Sequence, residues 1–178
     1  NVVGSTISRE ADHVIYTMAG PEISVASTKA YTTQVVVMHA IAMYFGELLN
    51  TISKEEVDNL KKELLEIPEK IEEVLKDTDA VKKIAESLKD EDDIFFLGRG
   101  MDFALALEGS LKLKEISYIH SEAFQAGELK HGSISLIDED FGVVSVVTDK
   151  TISDKTISNL KEVKSRGAKC VVITNDES

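Results

Sequence analysis

From Asp93 onward, short apolar runs alternate with helix-length amphipathic stretches, and that alternation restricts the fold more than any other feature of the chain. Ile94–Leu97, Val143–Val147 and Lys169–Thr174 each read as a strand, and a run near Ile134–Ile137 reads as one more. Phe103–Tyr118 and Ser153–Arg166 lie between them and read as helices. A strand that is apolar throughout is buried on both faces, and a helix must carry the chain back before a parallel neighbour can form. The expected class is therefore α/β, a mainly parallel sheet with helices on both faces. Before about Asp77–Asp92 the pattern is helical instead, so the expected division is 1–76 and 77–178.

The first part opens with a Gly4-Ser5-Thr6 turn that reads as the start of a short helix near Ile7–Ala11. A strand candidate follows at His13–Thr17, and Gly20-Pro21 breaks the chain. Ser27–Leu49 carries Val35, Val36, Val37, Met38, Ile41 and Phe45, apolar on nearly every side, as a buried helix does. Lys29, Thr32, Thr33, Gln34 and His39 argue against a membrane span there. Ser53 and Glu56 make a capping box for the next helix. That helix is expected to stop near Pro68, which suits the first turn of another to about Lys76. Asp79–Lys89 reads as a further amphipathic helix.

Charge and composition exclude several function classes. A net charge of −12 over 178 residues disfavours DNA or RNA as a partner. A small anion can still be held by helix N-termini and hydroxyls. The lone Cys170 lies in an apolar run, reads as a buried inert thiol, and suits a reducing cytoplasm. His13, His39, His120 and His131 show no paired metal-ligand spacing. Gly98-Arg99-Gly100 follows a strand, but Phe103 stands where a dinucleotide fingerprint has its third glycine, so the segment reads as a tight strand-to-helix turn.

The Phe103–Tyr118 helix has charges in an unusual place. With about 100° between successive helical residues, Glu108, Lys112 and Glu115 project from one narrow stripe. Leu105, Gly109, Leu113 and Ile116 lie to one side of it, and Leu107, Leu111 and Tyr118 to the other. Ser110, Lys114 and Ser117 form a second polar arc on the opposite side. A surface helix needs one polar face, so the expectation is that one arc meets solvent and the Glu108 stripe faces something more enclosed. Spacing alone leaves two readings open. One is a solvated ladder of i,i+3 and i,i+4 pairs, each worth about 0.2–0.5 kcal/mol. The other is a half-buried carboxylate tuned as a general base, with the lysine steadying developing negative charge.

These residues stand in Leu107-Glu-Gly-Ser-Leu-Lys-Leu-Lys-Glu-Ile-Ser-Tyr-Ile-His120, followed by Glu122-Ala-Phe-Gln-Ala-Gly-Glu-Leu-Lys-His-Gly132. A second block is Ala19-Gly-Pro-Glu-Ile-Ser-Val-Ala-Ser-Thr-Lys-Ala-Tyr-Thr-Thr-Gln34. Both resemble the isomerase domain of the glutamine–fructose-6-phosphate aminotransferase (glucosamine-6-phosphate synthase) family, in the family's order and about its spacing, and the likeness runs along nearly the whole chain. The resemblance implies flavodoxin-like sugar-isomerase (SIS) subdomains, the first truncated and ending in linking helices within 1–76, the second at 77–178 and incomplete at its C-terminus.

The implied activity is conversion of fructose 6-phosphate and glutamine-derived ammonia to glucosamine 6-phosphate, with no cofactor. By the resemblance Glu115 is the proton-transfer base, Lys112 stabilises the enolamine-like transition state, and His131 assists ring opening in a neighbouring subunit of a homodimer. Val25 and Ser27 would touch the sugar, and Glu108 would support. The family's phosphate loops lie upstream of Asn1, its Schiff-base lysine beyond Ser178, and its glutaminase domain in the remainder of the parent chain. The expectation is a fragment inactive alone. Rival readings are a SIS-fold amino-sugar phosphate deaminase or deglycase, and a non-catalytic sugar-phosphate-binding module.

Overall fold

A computed structural model describes residues 2–139 and 141–176; Asn1, Asp140, Glu177 and Ser178 lie outside the described residues. The chain divides into two compact units, Asn1–Lys76 and Asp77–Ser178.

The first unit is helical. Helix α1 (Thr6–Glu10) starts at Ser5, as the turn there predicts, and α2 (Lys29–Leu48) and α3 (Lys54–Val74) follow. Two expectations change. His13–Thr17 forms no strand. Pro68 does not end a helix either, because α3 runs through it. Proline removes one intrahelical bond, but Leu60, Leu64, Ile67 and Ile71 keep one apolar stripe running past the break. Leu60, Leu64 and Ile67 of that stripe line one cavity with His39 and Met43 of α2. The capping box is present: Ser53 Oγ accepts from Glu56 N at 3.2 Å, and Ser53 N donates to Glu56 Oε2 at 2.8 Å. This pairing holds the Glu56 carboxyl below its ordinary range. The all-round apolar α2 is not a buried helix within this unit. Only Met43 is buried, while Met38, Tyr44 and Phe45 are exposed, since α3 covers one side of it.

The second unit is a four-stranded parallel sheet with order β2-β1-β3-β4. Its elements are α4 (Asp79–Leu88), β1 (Asp93–Gly98), α5 (Met101–Ser117), β2 (His120–Gln125), β3 (Gly142–Val147), α6 (Ser153–Lys164) and β4 (Lys169–Thr174). Alternate residues supply two cores. Phe95, Leu97, Val143 and Val147 meet Leu160 and Val163 of α6 on one face. Ile94, Phe96 and Val144 meet Leu88 of α4 and Ala106 of α5 on the other. Every residue from Ile94 to Gly98 and from Gly142 to Val147 is buried, as the continuous apolar runs predict.

Two elements differ from the sequence reading. Strand β2 was not anticipated, because His120-Ser-Glu-Ala-Phe-Gln125 is polar. It pairs on one side only, with β1, and a terminal strand needs no continuous apolar run. Ile134–Ile137 is not a strand. Glu128–His131 and Ser133–Leu136 are two 3₁₀ turns, the second closed by Ser135 N and Oγ donating to Gly132 O. Leu129 and Ile137 are the side chains from this segment that are fully buried, so it covers the sheet rather than joining it.

Helix α5 lies close to the sheet because Gly109 faces the Phe96 ring. A Cβ there would sit 2.9 Å from Phe96 Cε1 and 3.1 Å from Cδ1. Helix propensity alone favours Gly→Ala by about 1 kcal/mol, whereas overpacking a core costs about 1–3 kcal/mol. The Phe96 ring is itself buried in the core, so the steric term wins. Gly109→Ala is expected to lower stability by about 1 kcal/mol in urea denaturation; a raised midpoint would show that the ring yields freely.

Candidate active site

Helix α5 begins at the strand-to-helix turn Gly98-Arg99-Gly100. Gly100 takes φ 55°, and a Cβ on Gly98 would collide with the Asp102 backbone. The helix ends at Tyr118, in the left-handed region at φ 63°. Which face turns inward is settled by packing. Asp102, Ala106 and Ser110 are buried, and the Ser110 and Ser121 hydroxyls lie 3.0 Å apart. Ser121 Oγ also lies 2.9 Å from the Ser110 carbonyl, which accepts from it.

That reverses one expectation. The Ser110 arc does not meet solvent as a whole: Ser110 is 2% exposed and bonded across to β2, although Lys114 and Ser117 are exposed. The stripe of Glu108, Lys112 and Glu115 consequently points away from the sheet. It is still not an open ladder, since the three side chains are only 23%, 19% and 26% exposed. Leu105, Leu107, Leu111 and Ile116 flank it, all exposed, so a charged stripe runs along an apolar face.

Within the stripe Lys112 Nζ donates to Glu115 Oε2 at 2.5 Å and lies 3.6 Å from Glu108 Oε1. The bond to Glu115 is the main cause that raises the lysine above its ordinary range. Desolvation opposes this, and the charges of Glu115 and Glu108 add to it. Two carboxylates and one ammonium sum to −1, a local field that suits holding or moving a proton.

The structure brings these three residues together but bonds none of them to His131. That residue ends the first 3₁₀ turn with its side chain exposed. The turn is fixed by buried Leu129 and by Lys130 Nζ donating to Glu162 Oε1 at 2.7 Å. Val25 and Ser27 belong to the first unit. Ser27 Oγ donates to Glu22 Oε2 at 2.6 Å, which is the chief reason the Glu22 carboxyl is held low, and Lys29 Nζ donates to Pro21 O. These bonds close a Pro21–Lys29 bend from which Val25 projects, exposed.

Sequence reasoning missed a second polar cluster. In parallel sheets of this winding, ligands sit beyond the strand C-termini where the order reverses, here between β1 and β3. The chain's own side chains occupy that crevice. Asp102, 3% exposed, accepts from Thr148 N at 2.8 Å, Asp149 N at 3.3 Å and Thr148 Oγ1. Arg99 Nη2 donates to Asn159 Oδ1 at 3.0 Å. In sequence Asp102 stands just before the expected Phe103–Tyr118 helix, and nothing local marks it as a link to β3. Beside this, a cavity of about 480 Å³ lies over β3, β4 and α6, lined by Thr148, Lys150, Ser153 and Cys170 among others. Cys170 is partly rather than fully buried, and desolvation raises its thiol above the ordinary range. Among the described residues no group of three or more His, Cys, Asp or Glu could hold a metal, and no helix is long and apolar enough to cross a membrane.

The SIS domain family model matches residues 1–44 and 87–178. A glutamine–fructose-6-phosphate aminotransferase (isomerizing) of Clostridium perfringens is 58% identical over 168 residues, covering 94% of this chain and 28% of that protein. The chain thus spans little more than a quarter of that relative's length. The solved C-terminal domain of the glucosamine-fructose-6-phosphate aminotransferase from Francisella tularensis is 42% identical with a TM-score of 0.93, covering 98% of this chain and 49% of that one. A glucosamine-6-phosphate deaminase from Thermotoga maritima shares the fold at 23% identity and a TM-score of 0.67, over 96% of this chain and 49% of that one.

A lysine whose pKa is raised on folding contributes stability that is complete below the ordinary lysine range and is lost as pH rises through the raised value. The difference in Tm between wild type and Lys112→Met should therefore be flat from about pH 6 to 9 and shrink only above the lysine range. A difference that already narrows near pH 8 would mean the triad does not hold the lysine charged.

Proposed function

The chain belongs to the SIS domain family, and on that premise we propose that it is the sugar-isomerising portion of a glutamine–fructose-6-phosphate aminotransferase. Fructose 6-phosphate is the proposed substrate, glucosamine 6-phosphate the product, and a glutaminase domain in the same complete protein the proposed ammonia source. The observation that carries this reading is the half-buried Glu108–Lys112–Glu115 stripe, in which one ammonium lies within 2.5 Å of the carboxylate assigned as base.

Ketose-to-aldose conversion requires one proton to leave C1 and one to arrive at C2. In this reading the Glu115 carboxylate accepts the C1 proton while the C–H electron pair forms the C1–C2 double bond and the π pair of the C2 imine moves onto its nitrogen, which gains a proton. The proton then returns to C2 as the C1 hydroxyl loses its own and the C1 carbonyl forms. The Lys112 ammonium donates toward the atom where negative charge gathers, the role a fixed cation performs in a water-poor site. His131 serves ring opening, since an imidazole accepts and releases protons near neutrality. Val25 and Ser27 contact the sugar, Val25 through its backbone.

Positioning alone accounts for about 7–11 kcal/mol of such barriers, and by the resemblance the family's phosphate loops and imine-forming lysine belong to other parts of the complete enzyme. The chain by itself should show no measurable fructose 6-phosphate turnover, while the complete aminotransferase should lose isomerisation on Glu115→Gln. Robust turnover by the 178-residue chain, or an undiminished Glu115→Gln enzyme, would overturn the reading. Ammonia released from glucosamine 6-phosphate by an enzyme with no glutaminase activity would favour a deaminase instead.

The proposed assembly is a homodimer in which His131 serves the site of the neighbouring copy. Mixing inactive Glu115→Gln with inactive His131→Asn enzyme would then rebuild one intact site in each hybrid dimer, restoring about a quarter of wild-type activity under two-fold symmetry. Hybrids that stay inactive would place His131 and Glu115 of one chain in the same site.

A further inference from the structure

A carboxylate that holds an ammonium at 2.5 Å has one of its two oxygens committed to that donor, and that oxygen can take a proton from carbon only after the ammonium leaves. Glu115 Oε2 is in that position. For that oxygen to act, Lys112 must leave it, and an ammonium released into a face where its side chain is 19% exposed would lack both a carboxylate partner and full hydration. Glu108 supplies the alternative. It lies four residues before Lys112, with Oε1 3.6 Å from Nζ, close enough for attraction but outside hydrogen-bond range. Lysine carries three donors on a flexible stem, and its i−4 and i+3 neighbours on a helix are both within reach. Among the described residues these two carboxylates are the groups with which the Lys112 ammonium pairs.

We propose that Glu108 is a positioning residue that receives the Lys112 ammonium when the sugar engages Glu115, so that the base is uncovered without leaving a cation unpaired. This rests on the reading of Glu115 as the base. The exchange is ionic: no covalent bond forms or breaks, the stripe keeps its net charge of −1, and Nζ closes on Glu108 as it leaves Glu115. It also explains why a second carboxylate is placed one turn before the lysine. With three donors, the ammonium can close on Glu108 and still donate toward the atom where negative charge gathers, whereas with Glu115 as its only carboxylate partner it would stay on the base.

The test is steady-state isomerisation by the complete aminotransferase carrying Glu108→Gln, Glu108→Asp or Glu115→Gln, beside wild type. Glutamine keeps the shape of Glu108 and removes only its charge, and Glu108 is on the outer face of α5, so the packing against the sheet is untouched. Glu108→Gln should lower kcat about tenfold with KM within about twofold, the signature of an interaction made after binding. Glu108→Asp, which changes shape but keeps charge, should recover kcat to within about threefold of wild type. A space-filling role would produce the opposite order, with Gln tolerated and Asp impaired, and that result would overturn the proposal. An unchanged kcat in Glu108→Gln while Glu115→Gln is inactive would sink the proposal alone. A Glu115→Gln enzyme of full activity would remove the base assignment, and this proposal with it.

Discussion

Strand β1 has no side that faces solvent, and the second unit is organised around satisfying both of its faces. Residues Ile94–Gly98 are buried without interruption, with Phe95 and Leu97 turned to α6 and Ile94 and Phe96 turned to α4 and α5. A strand with that demand can only be central, so β2 and β3 pair to either side of it in parallel register. Parallel pairing in turn requires crossover helices, and those helices are what cover the faces. The close approach of Gly109 to Phe96 follows from the same demand, since α5 must come near enough to seal the ring.

Sealing one face of β1 fixes the rotation of α5 about its axis. Once Ala106 and Ser110 face the sheet, Glu108, Lys112 and Glu115 have to face away from it, because residues two and five positions from Ser110 fall on the far side of a helix. The charged stripe is therefore a consequence of core packing as much as of its own chemistry. Its low exposure comes from mutual pairing and from the leucines beside it, a mixture of charge and apolar surface that an ordinary solvated helix lacks.

The crevice at the strand C-termini adds to this. Asp102 consumes the amides of Thr148 and Asp149 together with the Thr148 hydroxyl, groups that would otherwise be free to bind an anion. In this unit the usual place for a ligand is thus used to tie the start of α5 to the end of β3. The parallel winding is kept, while the carboxylates and ammonium of the Glu108–Lys112–Glu115 stripe stand on the outer face of a helix rather than in a strand-end loop.

What the sequence determined on its own was whatever depends on a local period. Continuous apolar runs gave β1, β3 and β4, helical spacing gave α2, α4, α5, α6 and the start of α3 but not its passage through Pro68, Ser53 and Glu56 gave a cap, and i,i+3 and i,i+4 spacing put Glu108, Lys112 and Glu115 on one stripe. The motifs around that stripe pointed to the sugar-isomerase family, because a run of specific residue types in a fixed order carries information that periodicity does not. What only the tertiary structure decided was everything that depends on a partner distant in sequence. A polar segment, His120–Gln125, became a strand because β1 offered it a free edge. The apolar Ile134–Ile137 became a 3₁₀ turn because its place was over the sheet and not in it. Ser110 went inward because Ser121 was there to meet its hydroxyl, and Asp102 became a buried acceptor because three donors of Thr148 and Asp149, more than forty residues away, converge on it. A polar side chain is indifferent to burial until a complementary group is found, and no local pattern records where that group lies.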